Sequence, residues 1–223
     1  MKRKIITTGD GSKTIQIEDW DEQYHSTHGA IQEAEHVYVK SGLEYFKNNS
    51  TSEINVLEIG FGTGLNALLT SIWAEKQQIK INYTGVEAFP VSSEEIQGLN
   101  YPEQLHFENA KQLYSNIQNC QWESFEDVSE YFSLKKLRLF FEKIQFENQF
   151  DVIYFDAFGA RVQPELWTEQ IFQIMFIAMR ENGVLVTYSA KGSARRAMQS
   201  VGFKVEIIPG PPGKRHMLRA VKR

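Results

Sequence analysis

The chain has 223 residues, of which 42% are hydrophobic and 23% charged, and its formal net charge is −4 at pH 7. This balance is typical of a globular chain with enough apolar residues for a sizeable core. Cys120 is the single cysteine, which excludes an internal disulfide. No apolar run approaches the roughly 20 residues of a membrane helix, and the basic start turns polar by Thr7, so we expect neither a membrane span nor a signal peptide. A cytoplasmic chain of one domain is predicted.

Basic residues are concentrated at the C-terminal end. From residue 190 onward there are nine basic residues and one acid, Glu206, which gives this segment a net charge of +8 and leaves −12 for the rest of the chain. Such asymmetry favours one surface built for a polyanion. The alternative is a solvated basic tail that aids solubility.

The first 50 residues predict an appendage to the main domain. Residues 14–17 form a short strand, a polar loop covers 19–30, and apolar residues at helical spacing indicate a helix over 30–46. Residues 51–223 are predicted to form the core of the domain.

From residue 54 onward, apolar strands alternate with amphipathic helices, which is typical of a parallel sheet covered on both faces. The predicted strands cover 54–59, 81–87, 131–139, 150–155, 184–188, 203–208 and 216–221. The predicted helices cover 65–74, 102–118, a segment that begins at Pro164 and stops at Asn182-Gly183, and 193–201.

The last two predicted strands are joined only by residues 209–215. This connection is too short for a crossover helix, so the pair must be an antiparallel hairpin. A mostly parallel seven-stranded sheet that ends in such a hairpin, with helices on both faces, resembles the Rossmann-like α/β fold of class I methyltransferases.

A glycine-rich loop lies between the first strand of this sheet and the helix that follows. The sequence reads Glu58-Ile-Gly60-Phe-Gly62-Thr-Gly64, and glycines let the backbone turn tightly and approach a ligand closely. The spacing is G-x-G-x-G and not the G-x-G-x-x-G of dinucleotide enzymes. We therefore predict S-adenosylmethionine as the ligand of the three glycines, with Glu58 receiving its ammonium group. The alternative is a merely tight turn between strand and helix.

An acidic residue ends the second strand. Glu87 lies where a carboxylate accepts hydrogen bonds from both ribose hydroxyls of a bound nucleotide. Its alternative is a solvated carboxylate at a strand end. The glycine-rich loop and Glu87 both follow the carboxyl ends of adjacent strands, where open α/β sheets bind ligands.

Several stretches resemble the MnmC-like methyltransferases of tRNA wobble-uridine modification. They are Tyr24-His-Ser-Thr-His-Gly-Ala30 with Glu33 and His36-Val-Tyr38, Glu58-Ile-Gly-Phe-Gly-Thr-Gly-Leu-Asn66, Asp156-Ala-Phe-Gly-Ala-Arg-Val-Gln-Pro-Glu-Leu-Trp167, Gly202-Phe203 and Pro209-Gly-Pro-Pro-Gly-Lys-Arg-His-Met217. The resemblance implies S-adenosylmethionine as cofactor, and Phe61, Asn66 and Asp156 as further cofactor-binding residues.

The same resemblance implies a reaction and a form of the protein. The methyl group would go to the primary amine of 5-aminomethyl-(2-thio)uridine. Because the chain stops at Arg223, it resembles the stand-alone form, often called MnmD, without the flavin-dependent oxidase domain. A separate enzyme would supply the aminomethyl precursor.

The reaction requires a group that holds an alkylammonium and helps to remove its proton. Asp156 follows the clearest strand, beside the expected cofactor, and the resemblance points to it as the catalytic residue. The alternative is a loop cap that bonds only local backbone.

Aromatic and basic residues suggest how a tRNA anticodon loop could be bound. Phe158, Trp167 and Tyr188 could form an apolar wall around a base that has left its stack, although Trp167 falls on an apolar stripe that favours burial. The predicted phosphate contacts are Lys191, Arg195, Arg196, Lys214 and Arg215. The family's Gly-Asp pair after the third strand is replaced here by residues 137–142, which leaves Glu142 as a candidate adenine contact.

Other interpretations remain open. His25, His28 and His36 lack the cysteine or carboxylate cluster of a metal site, so no metal is predicted. The nearest rival is a methyltransferase that acts on a small-molecule or protein amine. An aminopropyltransferase would require a strongly acidic groove, and the remaining alternative is a non-catalytic module that binds cofactor or RNA.

Overall fold

The computed structural model describes residues 2–47 and 52–223. Its N-terminal part forms a small antiparallel sheet of β1 (Arg3–Thr7), β2 (Lys13–Ile17) and β3 (Glu22–Gln23). The predicted strand at 14–17 is confirmed as β2, whereas the predicted polar loop contains a 3-10 turn at Glu18–Trp20 and β3. The predicted boundary near residue 50 lies outside the described residues.

The main sheet has eight strands instead of the predicted seven. They are β4 (Glu53–Ile59), β5 (Lys80–Val86), β6 (Phe125–Ser129), β7 (Phe132–Leu137), β8 (Phe150–Phe155), β9 (Met179–Thr187), β10 (Lys204–Pro209) and β11 (His216–Val221). Their order is β10-β11-β9-β8-β4-β5-β7-β6. The five central strands are parallel, and the predicted C-terminal hairpin of β10 and β11 is confirmed.

The additional strand is β6, which pairs with β7 in an antiparallel hairpin. Its sequence, FEDVS, combines two acids with an exposed phenylalanine, so it lacks the apolar run that marks the inner strands. Because an edge strand is solvated on one side, hydrogen bonding to β7 sustains it without such a run.

The helices lie near their predicted positions, although the one predicted over 65–74 runs on to Gln77 and two others are shorter or divided. They are α1 (Ala30–Ala34), which continues into a π-helix (Glu35–Glu44), α2 (Leu65–Gln77), α3 (Ser93–Gln97), α4 (Tyr101–Gln104), α5 (Ala110–Asn119), α6 (Glu169–Ala178) and α7 (Gly192–Ser200). The helix predicted over 102–118 is wrong as one element, because Leu105 adopts an extended conformation between α4 and α5.

The helix predicted from Pro164 also required correction. Pro164–Trp167 is only a 3-10 turn, and α6 begins after Thr168, whose hydroxyl accepts a hydrogen bond from the Ile171 amide. The predicted stop at Asn182-Gly183 lies inside β9. Asn182 has a φ of 64°, which accommodates the shift in register between β8 and β9.

Both faces of the main sheet are covered, as predicted. In β4, Val56 faces a core that includes the N-terminal helices and α2, whereas Leu57 faces a second core with α6 and α7. The π-helix lies directly on the sheet, since a Cβ at Gly42 would be 2.8 Å from Val186 Cγ2. Within the described residues, no helix is both long and apolar enough to cross a membrane.

A buried lysine explains why β7 had an unusual sequence for a central strand. Lys136 is 2% exposed, and its ammonium donates hydrogen bonds of 3.0 Å to the carbonyls of Ile117 and Gln118 at the end of α5. A cation at a helix C-terminus is favourable because the last carbonyls lack helical partners. The side chain therefore ties α5 to the sheet beside the glycine-rich loop.

Candidate cofactor and substrate site

A cavity of about 950 Å³ opens at the carboxyl ends of the central strands. Its walls come from the glycine-rich loop after β4, from Glu87 after β5, and from the loop that follows β8. The opposite wall is the N-terminal segment around residues 20–28, which the sequence had suggested was only an appendage. The volume is in the range of a site that encloses a cofactor and a small substrate group.

The glycine-rich loop has the backbone shape that its sequence predicted. Gly60 has a φ of 92°, and a Cβ there would lie 2.6 Å from the carbonyl oxygen of Asp156. Gly62 also has a positive φ and lies under the ring of Tyr24. Both line the cavity. Gly64 does not; its φ of 77° makes the turn into α2.

The side chain of Phe61 fixes this loop to the sheet. It is 4% exposed and lies on Gly85 of β5, where a Cβ would come within 2.2 Å of Phe61 Cδ2. Its ring also makes an edge contact with Trp122 at 6.3 Å between centroids. Phe61 was predicted as a cofactor contact; it lines the cavity, and most of its surface is committed to the core.

The buried carboxyl group of Glu58 and the half-buried one of Asp156 share one amide donor at the floor of the cavity. Asn66 Nδ2 donates hydrogen bonds of 2.8 Å to Glu58 Oε1 and to Asp156 Oδ2. The other Asp156 oxygen accepts a 2.5 Å hydrogen bond from the hydroxyl of Tyr38, on the π-helix. Residues from two separate elements, the π-helix and α2, therefore hold the predicted catalytic carboxylate in one orientation.

Burial changes the acidity of both carboxyl groups. It raises the pKa of Glu58 well above its usual range, and the nearby charge of Asp156 adds to the effect. Burial also raises the pKa of Asp156 to about 7, although the hydrogen bonds from Tyr38 and Asn66 oppose this rise. Asp156 can therefore hold or release a proton near neutral pH, which is the property expected of a proton acceptor.

The polar atoms of the floor fit the amino-acid end of S-adenosylmethionine. Asn66 Oδ1 is a buried acceptor with no hydrogen-bond partner in the described part of the chain, and Glu58 Oε2 has none of ordinary geometry, although the Tyr83 hydroxyl lies near enough to lower the Glu58 pKa. Such orphaned acceptors are costly in a protein unless a ligand satisfies them. Both residues line the cavity, and an ammonium group supplies the donors that these oxygens need.

Glu87 is held at the position predicted for ribose binding. Its Oε2 accepts a 3.1 Å hydrogen bond from the Gly62 amide, and its Oε1 accepts one of 2.9 Å from the Phe89 amide. Each carboxylate oxygen keeps a further lone pair, so the oriented side chain can still accept from two hydroxyls.

The rim beyond Glu87 carries two exposed aromatic rings. Phe89 and Phe140 are 59% and 52% exposed, and their rings meet edge to face at 5.6 Å between centroids. Glu142, the candidate adenine contact, also lines the cavity here from the 3-10 turn at Phe141–Lys143. The flat face of the adenine base could pack against these two rings, without the Gly-Asp pair that the family uses.

The aromatic residues proposed for a substrate base have different positions. Phe158 lines the cavity, and its ring meets Trp20 and Tyr24 edge to face at 5.7 and 5.0 Å. Trp167 is buried, and its indole N–H donates to the Phe158 carbonyl at 2.8 Å, in accord with the burial that its apolar stripe favoured. Tyr188 lines the cavity and donates from its hydroxyl to the Ala157 carbonyl at 2.9 Å.

The basic C-terminal segment is less available than its charge suggested. Lys222 is buried and donates to three oxygens, including the carbonyls of Phe176 and Met179, and Arg219 pairs with Glu206 at 2.9 Å. Lys214 points into the cavity, where it pairs with Glu33. Of the other predicted phosphate contacts, Arg195 is half-buried, and three are exposed: Lys191, Arg196 and Arg215.

Two of the three histidines considered for a metal site make hydrogen bonds within the protein. The ring of His25 makes a 2.8 Å hydrogen bond with Thr14, and burial lowers its pKa to about 4. His36 contacts the Pro209 carbonyl at 3.0 Å. Across residues 2–47 and 52–223 there is no group of three or more His, Cys, Asp or Glu side chains that could hold a metal ion.

Sequence reasoning assigned no site role to three residues that shape the site, Glu33, Tyr38 and Arg161, although all three belong to the stretches that resemble the family. The first two lie on buried helical positions, where a polar group cannot be distinguished from an ordinary core residue by spacing. Arg161 Nη2 donates to the carbonyls of Trp20 and Asp21 and to the carboxylate of Glu22. Its position within the Asp156–Trp167 stretch was the signal that could have revealed it.

The fold and site define an enzyme that binds a nucleoside cofactor, and comparison with known proteins specifies its class. The family model described as S-adenosyl-L-methionine-dependent methyltransferase matches residues 104–223, which is more than half of the chain. The chain belongs to this family and uses S-adenosylmethionine as its cofactor.

Relatives with assigned names match most of the chain. A protein of Leptospira interrogans is 29% identical over 213 residues, which cover 90% of this chain and 32% of the relative. A protein of Hydrogenovibrio crunogenus is 27% identical over 209 residues, which cover 89% and 31%. Both are named tRNA 5-methylaminomethyl-2-thiouridine biosynthesis bifunctional protein MnmC. The chain thus spans about a third of the length of these relatives.

Solved structures support the same fold. MNMC2 from Aquifex aeolicus superposes with a TM-score of 0.78 at 28% identity, over all of this chain and 70% of the other. Spermidine synthase from Thermotoga maritima gives a TM-score of 0.55 at 14% identity, over all of this chain and 72% of the other. The second likeness is one of fold alone.

Proposed function

We propose that the chain transfers the methyl group of S-adenosylmethionine to the primary amine of 5-aminomethyl-(2-thio)uridine at the wobble position of tRNA. The names of its relatives and its likeness to MNMC2 support the substrate. The observation that carries the chemistry is the carboxylate of Asp156, held at the cavity floor with a pKa raised by burial to about 7. We take the N-terminal segment as part of the same catalytic domain, because Tyr38 reaches this carboxylate.

The residues of the floor would prepare the amine for attack. S-adenosylmethionine supplies an electrophilic methyl group on a sulfonium. An alkylammonium must lose a proton before its nitrogen can act as a nucleophile, and Asp156 is placed to orient the group and accept that proton. Tyr38 and Asn66 fix the two Asp156 oxygens, so the substrate nitrogen would meet a rigid acceptor.

The tRNA would contact the cavity rim. Phe158 offers a ring for stacking on the wobble base, and Lys191, Arg196 and Arg215 are exposed cations suited to backbone phosphates. This substrate also implies a cytoplasmic location and a separate activity that supplies the aminomethyl group. The proposed chemistry uses no metal ion.

A second candidate function is methylation of a small cationic amine. Acidic side chains outnumber basic ones along the described cavity wall. The acids are Glu22, Glu33, Glu58, Glu87, Glu142, Asp156 and Glu165, and the basic residues are Arg3, Arg161, Lys191 and Lys214. This lining suits an ammonium group whether or not a tRNA carries it.

The deciding experiment follows labelled methyl from S-adenosylmethionine into tRNA from cells that accumulate the 5-aminomethyl wobble uridine. The tRNA is digested and the labelled nucleoside identified, with Asp156→Ala as a parallel reaction. Label in 5-methylaminomethyl-(2-thio)uridine, lost in the variant, would support the proposal. Label in small amines but never in tRNA would exclude tRNA and favour the second candidate.

A further inference from the structure

One lysine ammonium lies inside the cavity, between a carboxylate and an aromatic ring. Lys214 Nζ is 2.5 Å from Glu33 Oε2 and 4.1 Å from the centroid of the Tyr188 ring. A carboxylate and the face of an aromatic ring are the two groups that bind a primary ammonium most readily. This is the charge that the proposed substrate carries on its aminomethyl group.

We infer that Glu33 and Tyr188 form the binding site for the alkylammonium group of the substrate, a site that the side chain of Lys214 occupies until the substrate displaces it. The inference rests on the proposed function, because it takes the substrate to be a primary alkylammonium. It differs from the prediction from sequence that Lys214 contacts a phosphate.

Glu33 is built into the wall as a fixed anion. Its side chain is 10% exposed, and its Oε1 accepts a 3.0 Å hydrogen bond from the Ser26 amide, which leaves Oε2 directed to the ammonium. A buried carboxylate requires a cation or several donors, and Lys214 supplies the charge that faces Oε2 in this structure. A substrate ammonium can meet that need as well as Lys214 does.

The Tyr188 ring is equally fixed. Its hydroxyl donates to the Ala157 carbonyl, and its edge contact with Trp167 sets the tilt of the ring. Burial raises the pKa of this phenol well above its usual value, so the ring stays neutral and presents its face as a cation site. Glu33 and Tyr188 therefore persist as a preformed pair when the lysine leaves.

Lys214 can leave without movement of its backbone. Its side chain is 34% exposed, and its amide is held by the Pro211 carbonyl at 2.9 Å in the turn between β10 and β11. The preceding Gly213 lies against the ring of His28, which holds the turn close to the N-terminal segment. The four-carbon stem can therefore swing its ammonium to solvent, as lysine stems do at protein surfaces.

The site lines the same cavity as Asp156, and the Tyr188 hydroxyl bonds to the carbonyl of Ala157, the residue that follows Asp156. The charge of Glu33 raises the pKa of Asp156, and the charge of Lys214 lowers it, so all three groups share one electrostatic environment. An ammonium held by Glu33 would thus lie in the same cavity as the proposed proton acceptor. When it replaces the lysine charge, the balance of charge around Asp156 is kept.

Binding of phosphate-free nucleosides tests the inference. The probes are 5-aminomethyluridine and its uncharged analogue 5-hydroxymethyluridine, titrated by calorimetry into the chain saturated with S-adenosylhomocysteine so that no transfer occurs. The wild-type chain should prefer the amine by about tenfold, as expected for a charge-assisted contact. Lys214→Met removes the competing ammonium and should tighten binding of the amine about fivefold, with no change for the alcohol.

Glu33→Gln should abolish the preference for the amine, and Tyr188→Leu should reduce it. Melting temperature and S-adenosylhomocysteine affinity check that these buried variants fold. Lys204→Met, an exposed lysine on β10, is the matched control and should behave as wild type. The inference is overturned if Lys214→Met binds the amine no more tightly than wild type, or if folded Glu33→Gln keeps the preference.

The two proposals fail separately. If tRNA is labelled while the nucleoside preferences do not follow Glu33 and Lys214, the function stands and the amine site is wrong. If the preferences follow these residues while tRNA stays unlabelled, the amine site stands and the tRNA substrate is wrong.

Discussion

The hydroxyl of Tyr38 donates a 2.5 Å hydrogen bond to Asp156 Oδ1 across 118 residues of sequence. The bond joins the N-terminal π-helix to the loop after β8, so the segment that resembled an appendage contributes directly to the site. It also favours the ionised form of Asp156, because a donor stabilises a carboxylate more than a carboxylic acid.

Loss of this donor should change the pH dependence of methyl transfer. In Tyr38→Phe the pKa of Asp156 should rise above its present value of about 7, since one of the two bonds that lower it is gone. We expect the acidic limb of the kcat profile to move upward by about one pH unit, with activity at pH 6.5 reduced more than at pH 8.5.

The control for this measurement is Tyr154→Phe, which removes a buried hydroxyl that bonds to Thr70 and not to Asp156. S-adenosylmethionine affinity should be nearly unchanged in both variants. An acidic limb that stays in place in folded Tyr38→Phe would show that Asp156 does not set it.

The same carboxylate should reduce stability at alkaline pH. Its pKa in the folded chain, about 7, lies above the ordinary value of 3.8, so the folded state holds a proton that the unfolded state loses. Folding stability therefore falls as pH rises from about 4 to about 7 and then levels off. Asp156→Asn should remove this loss and stabilise the chain by about 4 kcal/mol at pH 8, against about 1 kcal/mol at pH 4.5.

Thermal unfolding at the two pH values measures this difference. A gain of about 4 kcal/mol corresponds to a rise in melting temperature of roughly 8–16 °C at this chain length. Asp127→Asn, which alters an exposed carboxylate on β6, should show no such pH-dependent gain. Equal stability of Asp156→Asn and wild type at pH 8 would contradict the raised pKa.

The fold was largely predictable because its inner strands are marked by apolar runs. Phe150–Phe155 is buried at every position, and the short connection before His216 allowed only a hairpin. The edge strand β6 was missed because solvation on one side removes the apolar signal. The break at Leu105 was missed because helical spacing continues through it by chance.

The site was predictable where the backbone itself is the signal. Gly60 and Gly62 adopt the positive φ that glycine spacing indicated, and Asp156 lies beside them as expected. Contacts between distant segments could not be read from spacing. The Glu33–Lys214 pair joins residues 181 positions apart, and neither has a local pattern that predicts its partner.

Substitution at Gly60 should disable cofactor binding through the backbone. An alanine would hold a strained φ near 92° and place its Cβ 2.6 Å from the Asp156 carbonyl, which is backbone and cannot yield easily. Gly60→Ala should lose about 2 kcal/mol of stability and at least tenfold in S-adenosylmethionine affinity. Denaturant unfolding and calorimetry measure the two losses.

Gly159 offers the matched control, because it also lines the cavity yet has open space around its Cα. A Cβ there would meet only the Tyr188 hydroxyl at 3.6 Å, an ordinary contact. Gly159→Ala should keep near wild-type stability and cofactor affinity. If both alanine variants behave alike, the close approach of Gly60 to Asp156 is not the cause.

Arg161 holds the N-terminal wall against the loop after β8. Its Nη2 is 2.8 Å from the Trp20 carbonyl, 2.9 Å from that of Asp21 and 2.9 Å from Glu22 Oε2. Because the guanidinium is largely exposed, Arg161→Ala should lower the melting temperature only slightly. Without these bonds the wall should open more often, so amide exchange should rise over residues 18–24 and the KM for tRNA should increase severalfold.

Arg138→Ala, which removes an exposed arginine after β7, is the control and should change neither quantity. Unchanged exchange over residues 18–24 in Arg161→Ala would mean that the rings of Trp20, Tyr24 and Phe158 hold this wall by themselves.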